Sequence, residues 1–254
     1  MPGNQFRHYI LLFCLLMLAA CSTPNHLSKT EVSGIRLDSS AAGDPAIDAM
    51  IEPYKSTLEK EMNEILVYST SDAVKGQPEG KLGNLIADLS LSAANRYLKE
   101  SGKKAADICM LNNGGLRTSL PAGAITRGKI FELMPFENML VVLTISGEQM
   151  KNLLSYIGRS KGMPVAGLQM KIDAEGNAKD VMIGGKPFDM NQNYRVATSD
   201  YLAGGGDKMG FFKNPLETEN LNRKLRDALI EEMVMTNQQG KKLEPKLDNR
   251  ISNE

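Results

Sequence analysis

A hairpin signal in the middle of the chain sets the strongest limit on its fold. Leu168 to Asp173 and Ala178 to Ile183 both read as strands, and Glu175-Gly176-Asn177 between them has the composition of a tight turn. Antiparallel strands joined this closely do not fit a regular βαβ series, in which each crossover needs a dozen or more residues. Helical patterns nevertheless stand on both sides of the hairpin. Leu82, Leu85, Ile86, Leu89, Ala93 and Tyr97 follow the spacing of a helix packed by one face, with Gly102 placed to end it. Ser146-Gly147-Glu148-Gln149 is a capping-box pattern that opens a helix to about Ile157. Further helices are expected over Asp44 to Glu64, Arg127 to Leu133 and Leu221 to Val234. Strands are expected at Ile65 to Tyr68, Asp107 to Leu111, Met139 to Ile145 and Tyr194 to Thr198. Interspersed helices and hairpins imply an α+β fold, a single domain with a mixed β-sheet and flanking helices.

The first residues predict export. Arg7 and His8 lead into an apolar stretch, Tyr9 to Leu18, that is too short to anchor a folded protein across a bilayer and reads as a signal peptide over residues 1–20. Leu18-Ala19-Ala20-Cys21 follows at once and resembles the lipobox of bacterial lipoproteins. That resemblance implies lipid on Cys21 and a protein held at the bacterial cell envelope, facing the periplasm. Residues 21–43, rich in Ser, Thr, Asn and Gly, suit a tether, and the domain is expected over residues 44–254. Cys14 leaves with the signal and Cys21 carries lipid, so Cys109 alone remains and no disulfide can brace the domain. Its scattered methionines read as core filling. With 30 basic and 30 acidic residues and no long Lys/Arg run, the chain lacks the electrostatic footprint of a nucleic-acid binder.

Four local patterns can carry chemistry. Asn112-Asn113-Gly114-Gly115-Leu116-Arg117 ends a strand with two glycines, which let backbone approach a ligand, and a guanidinium just beyond suits an anion. An ordinary turn with a surface arginine has the same signature. Pro135-Phe136-Glu137-Asn138 leads into a strand, so Phe136 and Asn138 are expected on one face, a ring to stack on a base and an amide to read its edge. In Tyr201-Leu202-Ala203-Gly204-Gly205-Gly206-Asp207 an aromatic ring and a carboxylate bracket three glycines, and Asp207 can accept from sugar hydroxyls. This stretch fits neither the phosphate-loop nor the dinucleotide fingerprint. Leu82-Gly83-Asn84-Leu85-Ile86-Ala87-Asp88 opens a helix, where free backbone amides attract anions.

These four motifs, in this order and with Gly128 among them, resemble the C-terminal, substrate-binding domain of the 5'-nucleotidase family. The likeness covers most of the chain from Asp44 to about Ile251. It implies a four-layer α/β/β/α domain in which two aromatic rings, here Phe136 and Tyr201, clamp a base. It further implies that Asn138 contacts the base, Asp207 the sugar and Arg117 a phosphate, with Asn113 in the site and Gly162 lining it. The chain departs from the pattern at Gly76-Gln77-Pro78-Glu79-Gly80-Lys81, where some members place arginines, which leaves Lys75 and Lys81 as substitutes.

Members of that family cleave phosphate esters with a separate N-terminal metallophosphatase domain, whose paired metals are held by His, Asp and Asn. The sequence offers no room for such a domain, and its only histidine after the signal is His26, in the tether. The expectation is therefore the nucleotide- or nucleoside-recognition half of a split 5'-nucleotidase. No cofactor is expected in this chain; divalent metals would reside in a separate metallophosphatase partner, and the membrane would be reached through the lipid. Three alternatives stand beside it: a lipoprotein that binds nucleosides or nucleotides alone, a structural lipoprotein without a ligand, and a catalytic site made only of carboxylates such as Glu132 and Glu137.

Overall fold

The computed structural model describes residues 8–9, 27, 29–35, 38 and 43–254. Most of the expected signal and Cys21 lie outside the described residues. Compactness divides the chain into Met1–Met50 and Ile51–Glu254. In the first part, the described residues from 27 to 44 have no regular structure, and helix α1 (Pro45–Met62) begins there and continues into the second. No described helix is long and apolar enough to cross a membrane.

The elements that follow are β1 (Ile65–Ser69), α2 (Lys81–Glu100), β2 (Ile108–Met110), β3 (Gly123–Thr126), α3 (Arg127–Leu133), β4 (Met139–Ile145), α4 (Gly147–Arg159), β5 (Val165–Ala166) and β6 (Leu168–Ile172). Then come β7 (Ala178–Ile183), β8 (Lys186–Pro187), β9 (Tyr194–Ser199), α5 (Asp200–Ala203), β10 (Glu217–Lys224), α6 (Leu225–Gln238) and β11 (Ile251–Asn253). A five-stranded mixed sheet has the order β10-β4-β9-β2-β5, a four-stranded sheet the order β11-β6-β7-β8, and β1 pairs with β3. The result is α+β with mixed sheets and flanking helices, as the hairpin signal implied.

The five-stranded sheet is buried on both faces, which is why β9 reads as a continuous buried run. Side chains alternate across it. Cys109, Leu140, Val142, Ala166 and Ala197 meet α2, α3, α6 and the Leu66-Val67 pair of β1 in one core. Met110, Val141, Leu143, Ile145 and Val196 meet α4, Phe212 and the inner face of the four-stranded sheet in the other. Burial pushes the Cys109 thiol well above its usual range, with Asp88 adding to the effect, so it is a core residue rather than a nucleophile.

Local signals performed as expected where partners lie within one helical turn. The Ser146 hydroxyl accepts from the Gln149 amide at 3.3 Å while the Gln149 side chain accepts from the Ser146 amide at 3.1 Å, closing the capping box. Gly102 follows α2 with φ of +67°. The expected helix over Leu221 to Val234 is a correction. Residues Glu217–Lys224 form β10, paired antiparallel with β4, and the helix runs instead over Leu225–Gln238. Cross-strand hydrogen bonds to β4 take over backbone groups that helical periodicity alone would have assigned to a longer helix.

At the helix start around Leu82, two of the amides are used within the protein: Leu82 donates to the Val74 carbonyl at 3.0 Å and Asn84 to that of Gly80 at 2.9 Å. The Asn84 side-chain amide donates to Glu79 (3.0 Å) and to the Lys246 carbonyl (3.2 Å), and Gly83 packs on Pro164. Asp88, at the motif's end, takes both terminal nitrogens of the buried Arg250 at 2.7 and 2.9 Å. The motif staples the segment before β11 to α2.

Candidate functional site

Three loops meet at one edge of the five-stranded sheet. β2 and β9 run parallel, so their C-terminal ends emerge together, and β4 runs antiparallel to β9, so its beginning lies at that edge too. Residues 112–117 follow β2, residues 200–208 follow β9, and residues 135–138 precede β4. Three of the four sequence motifs thus converge although they are far apart in the chain.

They enclose a cavity of about 330 Å³ lined by Asn112, Gly114, Gly115, Arg117, Phe136, Asn138, Tyr201 and Asp207. That size falls within the range of small-molecule sites, and the lining combines two rings with a few convergent polar groups. Phe136 and Tyr201 are 38% and 48% exposed at its mouth. Five of the seven expected ligand contacts, Arg117, Phe136, Asn138, Tyr201 and Asp207, share this cavity.

Asn113 and Gly162 do not line it. The Asn113 side chain turns toward the Met163 sulfur at 3.9 Å, and its neighbour Asn112 faces the cavity instead. Gly162, with φ of +104°, lies against the Gln77-Pro78 turn, where a Cβ would stand 1.8 Å from the Pro78 carbonyl oxygen. Its glycine is required by that close approach. Lys75 and Lys81, expected to substitute for arginines, are not in the lining either.

Asp207 is the hub of the polar side. The Tyr201 hydroxyl donates to its Oδ1 at 2.8 Å, the Asn112 amide to its Oδ2 at 2.6 Å, and the Tyr156 hydroxyl to its main-chain oxygen at 2.9 Å. A carboxylate has about four lone-pair positions, so two remain for ligand hydroxyls. The bond to Asp207 holds the Tyr201 hydroxyl above the ordinary tyrosine range, keeping it a donor. The expected glycine loop begins with one short helical turn, Asp200–Ala203, and after Gly204 and Gly205 (φ of +90°) continues into a tight turn in which Asp207 and Lys208 have positive φ. Gly206 has a packing reason: a Cβ there would stand 2.5 Å from the Tyr201 ring. We expect Gly206→Ala to displace that ring and weaken nucleoside binding about tenfold, with the thermal midpoint little changed. Titration calorimetry beside a melting curve checks it, and undiminished affinity would show the ring to be idle.

Phe136 and Asn138 face the same cavity from a loop rather than from a strand, since β4 begins only at Met139. What holds the loop is Arg226 on α6, which the sequence did not single out. Its buried guanidinium donates to the carbonyls of Met134 (3.4 Å) and Phe136 (3.3 Å) and to Glu137 (2.5 Å), and it lies 4.0 Å from the Phe131 ring centroid. The Leu225 amide donates to the Asn138 carbonyl at 2.8 Å. Lys224 and, after it, Arg226 hold the Glu137 carboxyl below its usual range, while Glu132 pairs with Lys129. Neither acid lines the cavity. Arg117 donates to the Gly114 carbonyl at 3.3 Å, with its guanidinium carbon 6.0 Å from the Phe136 centroid, and has no ion-pair partner among the described residues. A free guanidinium beside a stacking ring is suited to a phosphate. Among the described residues no group of three or more His, Cys, Asp or Glu side chains is arranged to hold a metal ion.

Comparison with known proteins bears on the same residues. The model of the family "5'-nucleotidase, C-terminal domain" matches residues 59–214. The chain is 30% identical over 250 residues to the trifunctional nucleotide phosphoesterase protein YfkN of Bacillus subtilis strain 168, covering 88% of this chain and 16% of that protein. It is 28% identical over 201 residues to a 5'-nucleotidase of Vibrio vulnificus, covering 72% of this chain and 34% of the relative. The chain thus spans between a sixth and about a third of the length of these relatives. The fold matches the crystal structure of a 5'-nucleotidase precursor from Thermus thermophilus with a TM-score of 0.65 at 24% identity, over 84% of this chain and 44% of that one. The converging motifs, the fold and the family match agree: the chain belongs to the 5'-nucleotidase C-terminal domain family.

Proposed function

We propose that this protein is the nucleotide-recognition half of a split 5'-nucleotidase, held at the bacterial cell envelope by lipid on Cys21 and working with a metallophosphatase supplied by a separate protein. The observation that carries the reading is the cavity where Phe136, Asn138, Tyr201, Asp207 and Arg117 converge. Base stacking contributes about 1–3 kcal/mol per base, enough to orient a nucleotide. The Asn138 amide has both donors and an acceptor for a base edge, Asp207 has lone pairs for sugar hydroxyls, and Arg117 neutralises part of a phosphate. What this chain supplies is position: it holds the nucleotide, and metals held by the partner would supply the activated water.

AMP hydrolysis by a stand-alone metallophosphatase from the same cell, measured with and without this protein, tests the reading. We expect a gain on addition that Phe136→Ala abolishes. No gain, with adenosine still bound by the isolated chain, would make it a binding lipoprotein without a hydrolase role.

A further inference from the structure

Asn112 bridges two of the three loops that build the cavity. Its amide donates to the Asp207 Oδ2 at 2.6 Å, between residues 95 apart in the chain, and so ties the loop after β2, which carries Arg117, to the turn after β9, which carries Tyr201. The two glycines beyond Asn112 make this reach possible. A Cβ on Gly115 would stand 2.7 Å from the Asn112 Oδ1, and one on Gly114 would stand 3.5 Å from its Nδ2 and 3.8 Å from the Asp207 Oδ2. The amide therefore lies over the glycine pair, in space that a side chain at residue 115 would claim. The pair makes room for a side chain of the protein itself.

Asp207 is exposed and stands on backbone with φ of +50°. The torsion that turns an aspartate carboxylate about its last bond is broad, so an unsupported carboxylate samples many orientations. A donor on each oxygen removes that freedom: Tyr201 holds Oδ1 and Asn112 holds Oδ2, which leaves one lone pair on each oxygen in a fixed direction. An acceptor ordered beforehand spares a ligand the cost of ordering it. Asparagine suits this task because its amide donates without placing a second charge beside the carboxylate.

We propose that Asn112 is a positioning residue of this site: its amide, opposite the Tyr201 hydroxyl, fixes the Asp207 carboxylate for the sugar hydroxyls of a bound nucleoside and locks the loop after β2 to the turn after β9. The sugar contact rests on the reading of the cavity as a nucleoside site. The lock between the loops does not.

Asn112→Asp keeps the size of the side chain and exchanges its donor for an acceptor. Titration calorimetry with adenosine compares this variant with the parent. At about pH 8 two carboxylates face each other, and the variant is expected to bind about tenfold more weakly than the parent. Carboxylates this close cannot both stay ionised as pH falls, and a shared proton restores the hydrogen bond between residues 112 and 207. At about pH 5 the variant is therefore expected to recover to within about threefold of the parent. The parent is expected to change little. The charged and titratable side chains around the Asp207 turn are Arg117, Tyr156, Asp200, Tyr201, Lys208 and Lys213, and none is a histidine, the side chain that ordinarily titrates in this interval. Equal affinities at the higher pH, or a loss that acid does not reverse, overturn the positioning role. Hydrogen-deuterium exchange without ligand separates this inference from the nucleoside reading. Asn112→Ala is expected to speed exchange of the amides in residues 200–208 several-fold while the rest of the domain keeps its protection. Faster exchange there in a protein that binds no adenosine upholds the lock and removes only the nucleoside reading. Unchanged rates overturn the lock.

Discussion

Titrated with adenosine, the Phe136→Ala protein is expected to show a dissociation constant roughly 5–150-fold weaker than its parent, the equivalent of about 1–3 kcal/mol of base stacking. Its thermal midpoint is expected to stay within a degree or two of the parent's, because a ring 38% exposed at a cavity mouth contributes little to the core. The loop backbone survives the change, since Arg226 holds the carbonyl of residue 136 and not its side chain. Loss of affinity together with loss of stability would point to a structural ring. Equal affinities would place the base elsewhere.

Arg250→Ala is expected to lower the free energy of unfolding by about 2–4 kcal/mol, or roughly 5–12 °C in thermal midpoint for a domain of this size. The buried guanidinium binds Asp88 through both terminal nitrogens, Asp248 at 2.7 and 2.8 Å, and the Val165 carbonyl at 2.8 Å. Its removal leaves a buried carbonyl without this donor and leaves two carboxylates facing each other. The cost falls short of a fully buried pair because Asp88 and Asp248 keep 47% and 35% of their side-chain exposure.

The same cluster links stability to pH. Arg250 holds the Asp248 carboxyl below its usual range. A depressed folded-state value means that this contribution is fully present above the unfolded carboxylate's ordinary value and is lost as pH falls through the folded one. Urea denaturation between about pH 6 and 3 is expected to show a steeper acid loss in the parent than in Arg250→Ala. Parallel curves would remove the pair as the cause.

Much of the site was legible because its chemistry is written in side-chain types at close spacing. Two aromatics, an amide, a carboxylate and a guanidinium, in segments that each carry glycine or proline, mark three loops that the structure gathers into one cavity. Asn112 and Asn113 show where such reading stops. Both sit at the end of β2, and which of them faces the cavity depends on how the chain leaves the sheet and on Met163, some fifty residues away. Arg226 carries no motif at all; its role arises because α6 docks beside the residue 135–138 loop.

Sequence alone determined the features whose partners lie within a turn or two along the chain: the Ser146 capping box, the packed face of α2, the hairpin at Glu175-Gly176-Asn177, and the α+β class that follows from them. Their hydrogen bonds and periodicities are local, so few residues suffice to specify them. Only the tertiary structure decided that Glu217–Lys224 is a strand, that the Leu82–Asp88 motif holds Arg250, and that Gly162 serves the Pro78 turn. Each outcome rests on a partner some eighty to one hundred and sixty residues distant. No local propensity encodes such a partner, because pairing energy is gained only after the intervening chain has folded.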